Sequence, residues 1–382
     1  MFNVNVKRAE HAVAMHFPCT EKELCIAMGK LLLPDELDTV QEIQSIDRDE
    51  LKILEGDLVD LDELNYLAKR LDSFTSKEMA KFNAVVSAKR MKTVEKMINL
   101  TFNMPHYTLI QDFSSMAAVG KEHFMTVNMC ISSEEAKNID FAYIGKTLID
   151  SGDGKTTQYG ILFENEDVKY EEPYDGQVFP EYVYESAFVE AGITYQGKTA
   201  YVYLPDMPTV IDKAVRRLGA PSLQDCDVYL DDLHLENQGW IYKLTSIMND
   251  EGVHAVNTVM QVLGGLQWKD QRDKLLAVAE YADVSDSASI VELAKNIDCF
   301  TYIERANNDE DIAWDWIEQY EYELAPELEE FFQFEKYGEH IRREHAGKFL
   351  GSGGAVLMES KSLEEIFTPL REERDEMTMG GM

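Results

Sequence analysis

The sequence predicts an α+β fold made of two tandem copies of one mixed α/β module. Three observations predict it. Short apolar runs bounded by turn residues read as strands, longer runs of helical period carry capping signals, and the chain is self-similar at a nearly constant offset. Nothing alternates strand and helix at the length a doubly wound sheet needs. At 382 residues and 45% hydrophobic content, the chain can bury sizeable cores.

In chain order, FNVNVK and HAVAMHF read as two strands around the polar turn KRAE. From Thr20 to Leu33 the apolar residues Leu24, Ile26, Met28, Leu31 and Leu32 predict a helix, with Thr20 and Glu23 as a capping box and Pro34 as its stop. Short strand-like pieces in an acidic background follow, and lead into LDELNYLAKRLDSF, where Leu61, Leu64, Leu67, Ala68 and Leu71 keep helical spacing. The next helix is expected over Ser76 to Ile98, the one net-basic region of the chain. Its basic residues read as neutralising neighbouring acidic faces.

The repeat is visible residue by residue. Pro18 and Pro34 match Pro205 and Pro221 at an offset of 187, and Asn65, Leu67 and Leu71 match Asn257, Val259 and Leu263 at 192. At 193, Lys81–Val85 lies on Lys274–Val278, Asn103, Tyr107 and Ile110 on Asn296, Phe300 and Ile303, and Phe141–Ile149 on Phe334–Arg342, with Gly145 on Gly338. The expected domains are therefore a first module over 1–165, an acidic Tyr-rich connector over 166–190, a second module over 191–360, and a tail over 361–382 that forms one short helix and then frays.

Charge narrows the function. Against 36 Lys and Arg stand 71 Asp and Glu, a formal net charge of -35. That balance repels nucleic acid and anionic membrane, and steers towards basic partners. Five scattered cysteines, none in a CxxC, together with the lack of a membrane-length apolar run or signal-peptide core, predict a cytoplasmic protein with idle thiols.

Motifs for catalysis fail on spacing. SGDGKTTQ (Ser151–Gln158) has Ile149 where a phosphate loop needs glycine, and reads as a turn before the strand YGILF. His340 and His345 are five apart, which turns the second side chain about 140° away on a helix, so they do not form a zinc pair. NNDEDIAWDW lacks the glycine and closing Glu of a calcium loop. No nucleophile elbow or triad signature is present, and carboxylate pairs are too numerous to point to glycosidase chemistry. No catalytic residue, metal or cofactor is expected.

One stretch concentrates the charge. Asn307 to Ile341 holds twelve carboxylates, Asp309, Glu310, Asp311, Asp315, Glu318, Glu321, Glu323, Glu327, Glu329, Glu330, Glu335 and Glu339, against one Lys. Between them run Trp314, Trp316, Tyr320, Tyr322, Phe331, Phe332, Phe334 and Tyr337, apolar surface enough to pin the stretch to a core and fix its charges. In the first copy, Asp57, Asp60, Asp62 and Glu63 form an acidic turn into a helix. B-form DNA carries one negative charge per about 1.7 Å of axis, so a net charge of -35 is comparable to roughly 17 base pairs. A rigid acidic protein of that size can occupy a DNA groove competitively.

Each module resembles the ArdA-type antirestriction proteins. The resemblance rests on an early helix ending near Pro, an acidic strand region, the turn into LDELNYLAKRL (Leu61–Leu71), and the closing PELEEFFQFEKYGEHI (Pro326–Ile341). It implies an elongated DNA mimic that inhibits a type I restriction–modification enzyme by occupying its DNA groove, with the carboxylates named above as target-binding residues. It implies no catalysis and no direct binding of nucleic acid. The family works as a dimer of single modules, so the resemblance further implies either a homodimer or an intrachain pseudo-dimer. Other readings of the same charge are an inhibitor of another nucleic-acid-handling defence complex such as a CRISPR nuclease, and an acidic scaffold protein of a mobile element. The first copy's closing motif, with Phe141 and Gly145, is less acidic and less aromatic than the second, which assigns the target-facing carboxylates to the second copy.

Overall fold

The computed structural model describes residues 1–382 apart from 33, 34, 36, 129–131, 133, 134, 186, 267, 321, 323, 326–328 and 380–382. It is mixed α/β, with four small separate sheets. The chain forms two compact units. The first comprises Met1–Glu185, Thr194–Ala200 and Asp212–Cys226, and the second Ser186–Ile193, Tyr201–Ile211 and Asp227–Met382.

In the first unit, β1 (Phe2–Arg8) buries Phe2, Val4 and Val6 and turns Asn3, Asn5 and Lys7 outward, the period of a half-buried strand. It pairs antiparallel with β2 (His11–Phe17) and with β3 (Val40–Ile46), and β4 (Leu58–Asp60) completes the order β2-β1-β3-β4. Between β2 and β3 lies α1 (Glu21–Lys30), opened by the expected Thr20–Glu23 box. It ends before the predicted Leu33, because Leu32 takes a left-handed conformation (φ 54). Leu32 and Ile26, two of the residues used to predict the helix, face solvent.

Helix α2 (Leu61–Asp72) buries Leu61, Leu64, Leu67, Ala68 and Leu71, as their spacing predicts. The single helix expected from Ser76 to Ile98 is two, α3 (Ser76–Lys89) and α4 (Val94–Phe102). Arg90 ends α3 in the left-handed region (φ 51), and the Thr93 hydroxyl caps α4, so local capping outweighs a continuous apolar pattern. Strand β5 (Tyr107–Ile110), helices α5 (Met116–Asn128) and α6 (Phe141–Asp150), and strands β6 (Lys155–Thr157) and β7 (Gly160–Glu164) follow, with sheet order β5-β7-β6. The α5 and α6 backbones touch at Gly120 and Gly145, where a Cβ on either glycine would fall on the other helix's backbone.

The expected connector is not a free linker over the part inside this unit. Asn99 grips the Tyr174 backbone through two hydrogen bonds, both 2.9 Å, and Asn103 grips Glu171 in the same way at 2.6 and 2.8 Å. Tyr174 is buried, and Phe179 stacks on Tyr66.

A second run of elements follows, in which Thr194–Ala200 and Asp212–Cys226 belong to the first unit and the remainder to the second. Strands β8 (Val189–Tyr195) and β9 (Lys198–Leu204), helix α7 (Pro208–Leu218) and strand β10 (Asp227–Leu233) come first, with sheet order β10-β8-β9. Helix α8 (Gln238–Glu251) follows, where the first unit has a short 3₁₀ turn (Asp49–Leu54) and β4. Then come α9 (Val253–Gly265), α10 (Lys269–Tyr281), α11 (Ser287–Lys295), β11 (Phe300–Ile303), α12 (Asp309–Gln319), α13 (Phe334–Glu344), β12 (Lys348–Phe349) and β13 (Ala355–Met358), with sheet order β11-β13-β12. The tail is a longer helix than expected, α14 (Leu363–Met379), with Ile366 buried.

Buried asparagines recur with the elements. Asn65 on α2 accepts from the Cys19 N–H and donates to the Cys19 carbonyl, both at 2.9 Å. Asn257 on α9 accepts from the Asp206 N–H at 3.0 Å and donates to its carbonyl at 2.8 Å. Cys19 and Asp206 stand 187 residues apart, the offset of the flanking prolines.

Candidate functional site

The acidic stretch folds around the α12–α13 pair. Asn308 caps α12 by accepting from the Asp311 N–H at 3.0 Å, and the Asp311 carboxylate accepts from the Asn307 and Asn308 N–H groups at 2.7 and 3.3 Å. Three acids in the first turn suit the positive end of the helix dipole. Ile312, Ala313 and Trp316 turn inward, and Ile312 and Trp316 join Ile341 of α13 in a core with Ala355 and Leu357. The helices meet closely: a Cβ on Gly338 would fall on the Asp309 carbonyl, as one on Gly145 would fall on that of Met116, 193 positions earlier. Arg342 donates two hydrogen bonds to the Asp309 carboxylate, at 2.6 and 3.1 Å.

The predicted carboxylates thus divide by role. Asp309 and Asp311 are tied into the pair itself, and Glu339 pairs with Arg343 at 2.5 Å. Glu310, Glu318, Glu329, Glu330 and Glu335 are exposed and in no ion pair among the described residues, as is Asp57 in the first unit. Glu321, Glu323 and Glu327 lie outside the described residues. Asp315 is half-buried in the wall of a pocket of about 390 Å³ shared with Lys274, Thr301, Tyr302, Glu318 and Gln319. Burial, then the neighbouring Glu318, pushes the Asp315 carboxyl above the usual range.

Asp60, Asp62 and Glu63 are engaged inside the first unit. Asp60 caps α2 and meets Arg217 at 2.5 Å; Asp62 accepts from Lys213 at 2.9 Å, and Lys213 also reaches Glu21 at 2.7 Å. The Tyr174 hydroxyl donates to Glu63 at 2.7 Å. Burial raises the Asp62 carboxyl, opposed by Lys213, and burial likewise raises Glu63. These three carboxylates, expected to be target-binding, have partners inside the first unit. The cations of Asp60 and Asp62 lie about 150 residues away in the chain and the Tyr174 partner of Glu63 lies 111 away, and no local pattern connects them.

The aromatics divide too. Trp316 is core, with His345 against its ring and Tyr320 beside it. Trp314 is 41% and Phe331 72% exposed, and Trp314 stacks on Phe334 with centroids 4.0 Å apart. Sequence reasoning, which took the aromatics as anchors, did not separate these. It also missed β10, an edge strand whose exposed face carries Asp227, Tyr229 and Asp231 at period two.

His340 pairs with Glu344 at 3.3 Å on the helix surface, away from any ligand set. No group of three or more His, Cys, Asp or Glu among the described residues could hold a metal ion, and no described helix is long and apolar enough to cross a membrane. Cys130 lies outside the described residues, and Cys19 is a buried thiol. No protein-family profile, curated protein or solved structure matches the chain.

Proposed function

We propose that this chain is a DNA-mimic antirestriction protein, built from two tandem copies of one module, that inhibits a type I restriction–modification enzyme by occupying its DNA groove. The observation that carries the reading is the α12–α13 face. There Glu310 and Glu318 on α12 and Glu335 on α13 stand exposed and unpaired among the described residues, as do Glu329 and Glu330 in the segment between the helices, and the pair is fixed by Trp316, Ile312 and Ile341.

A groove built for DNA offers Lys and Arg to phosphates. Carboxylates held on packed helices meet those cations without the entropy loss a floppy acidic tail would incur. The net charge of -35 adds long-range steering towards a basic partner, and repels nucleic acid from the inhibitor itself. The inhibitor carries out no reaction and needs no cofactor; its work is occupancy.

The tandem reading is supported by the recurring order of elements, by the Asn65 and Asn257 clamps, and by the glycine contacts at Gly145 and Gly338. The test is plating of unmodified phage on a host with an active type I system, with and without the protein expressed. Restored plating is expected; unchanged restriction by a well-expressed protein overturns the reading.

A further inference from the structure

The outer face of α12 carries Glu310, Trp314 and Glu318 at four-residue spacing, which brings them into one row along the helix. All three are exposed. Phe334 covers one side of the indole at 4.0 Å, and the side chain is still 41% open to water. The aromatic ring is therefore held in one orientation between two carboxylates.

The scaffold does not require this row. The positions 193 residues earlier on α5 are Ala117, Lys121 and Met125, and α5 crosses α6 through the same kind of glycine contact that joins α12 to α13. Packing thus leaves the Glu–Trp–Glu row unexplained. A phosphate backbone has no aromatic counterpart either, so charge mimicry alone does not explain the tryptophan.

We propose that Trp314 is the anchor of the interface: it receives an arginine guanidinium from the partner's basic groove over its open face, while Glu310 and Glu318 take that cation and its neighbours. The proposal rests on the mimic reading and names the contact that makes it. Charge complementarity selects the occupant, because an exposed apolar ring flanked by acids repels anionic surfaces and attracts cations. Guanidinium suits it better than ammonium, being planar, weakly hydrated and able to stack. Tryptophan and arginine also dominate interface hot spots. Trp268 supplies an internal control: it is 68% exposed, but the residues four before and four after it are Gly264 and Arg272.

The experiment measures affinity for a panel of purified type I enzymes over a salt series, using the unaltered protein, Trp314→Ala, Trp314→Phe, Trp268→Ala and the double variant Glu310→Gln/Glu318→Gln. Thermal melts check that each variant is folded. The expected result is a loss of about tenfold for Trp314→Ala at every salt concentration, substantial rescue by Trp314→Phe, and no change for Trp268→Ala. The glutamine pair is expected to flatten the salt dependence instead. Binding by Trp314→Ala equal to that of the unaltered protein overturns the anchor while leaving the mimic reading standing. If the unaltered protein binds no enzyme, the mimic reading falls, and titration with an oligo-arginine peptide then decides the anchor. A Trp314 indole N–H resonance that moves while that of Trp268 does not supports it, and equal movement overturns it.

Discussion

The Lys213 ammonium lies 2.9 Å from the Asp62 carboxylate, with the two side chains only 9% and 12% exposed. It also reaches Glu21 at 2.7 Å, so one cation compensates two withdrawn acids. Removing one partner of a buried pair leaves the other charge uncompensated, a cost of about 3–5 kcal/mol. Lys213→Met is therefore expected to lower unfolding stability by roughly that amount near neutral pH, measured by urea denaturation.

The pH dependence of that loss has a defined sign. The Asp62 carboxyl is already raised by burial, and without Lys213 it is raised further. An acid whose folded pKa exceeds its unfolded value favours folding when protonated, and loses that contribution as pH rises from the unfolded pKa through the folded one. Lys213 acts in the opposite direction: its pKa is raised by Asp62 and Glu21 against burial, so its stabilisation is present below the unfolded lysine pKa and is lost above it. The deficit of Lys213→Met should accordingly be largest at pH 7–9 and shrink towards pH 4, as Asp62 protonates. A deficit that is constant over this range would contradict the assignment.

Asn65 and Asn257 give a matched pair of tests. Each satisfies one backbone N–H and one carbonyl; alanine at Asn65 orphans both Cys19 groups, whereas alanine at Asn257 orphans the Asp206 N–H and leaves its carbonyl with the Gln261 amide at 2.8 Å. A loss of about 2–3 kcal/mol is expected at Asn65, and about half of that at Asn257. Thermal or chemical unfolding of the two single variants should show the larger loss for Asn65→Ala, and equal losses would contradict the Gln261 contact.

Gly338→Ala should separate α12 from α13, because its Cβ has no room beside the Asp309 carbonyl. Overpacking against a rigid backbone costs about 3 kcal/mol. Hydrogen exchange should show lost protection in α12 and α13 and an unchanged first unit. Inhibition should weaken as well, because the displaced helix carries Glu310 and Glu318.

How much of this was legible follows from range. Periods of 2 and 3.6 placed β1, β2 and α2, and the Thr20–Glu23 box marked the start of α1, because those signals are local. The end of α1 and the split between α3 and α4 depend on left-handed residues, Leu32 and Arg90, which are neither Gly nor Asn and carry no turn signal. In the candidate site, the exposure of Glu310, Glu318, Glu329, Glu330 and Glu335 agrees with the patterning, whereas the engagement of Asp60, Asp62 and Glu63 depends on Lys213, Arg217 and Tyr174, all far along the chain. Trp314 and Trp316 are two residues apart in the sequence and only the geometry of α12 separates surface from core.

Occupancy of a DNA groove is decided by competition with duplex DNA. A type I enzyme, pre-bound to a labelled duplex carrying its recognition site, would be titrated with the protein at 50, 100 and 200 mM salt, values chosen to span roughly one Debye-length regime. Displacement of the duplex is expected at every salt concentration, with affinity falling as salt rises, and weaker displacement when Glu310, Glu318, Glu329, Glu330 and Glu335 are all glutamine. A ternary complex in which the enzyme holds duplex and protein together, or displacement that is indifferent to those five substitutions, would contradict it.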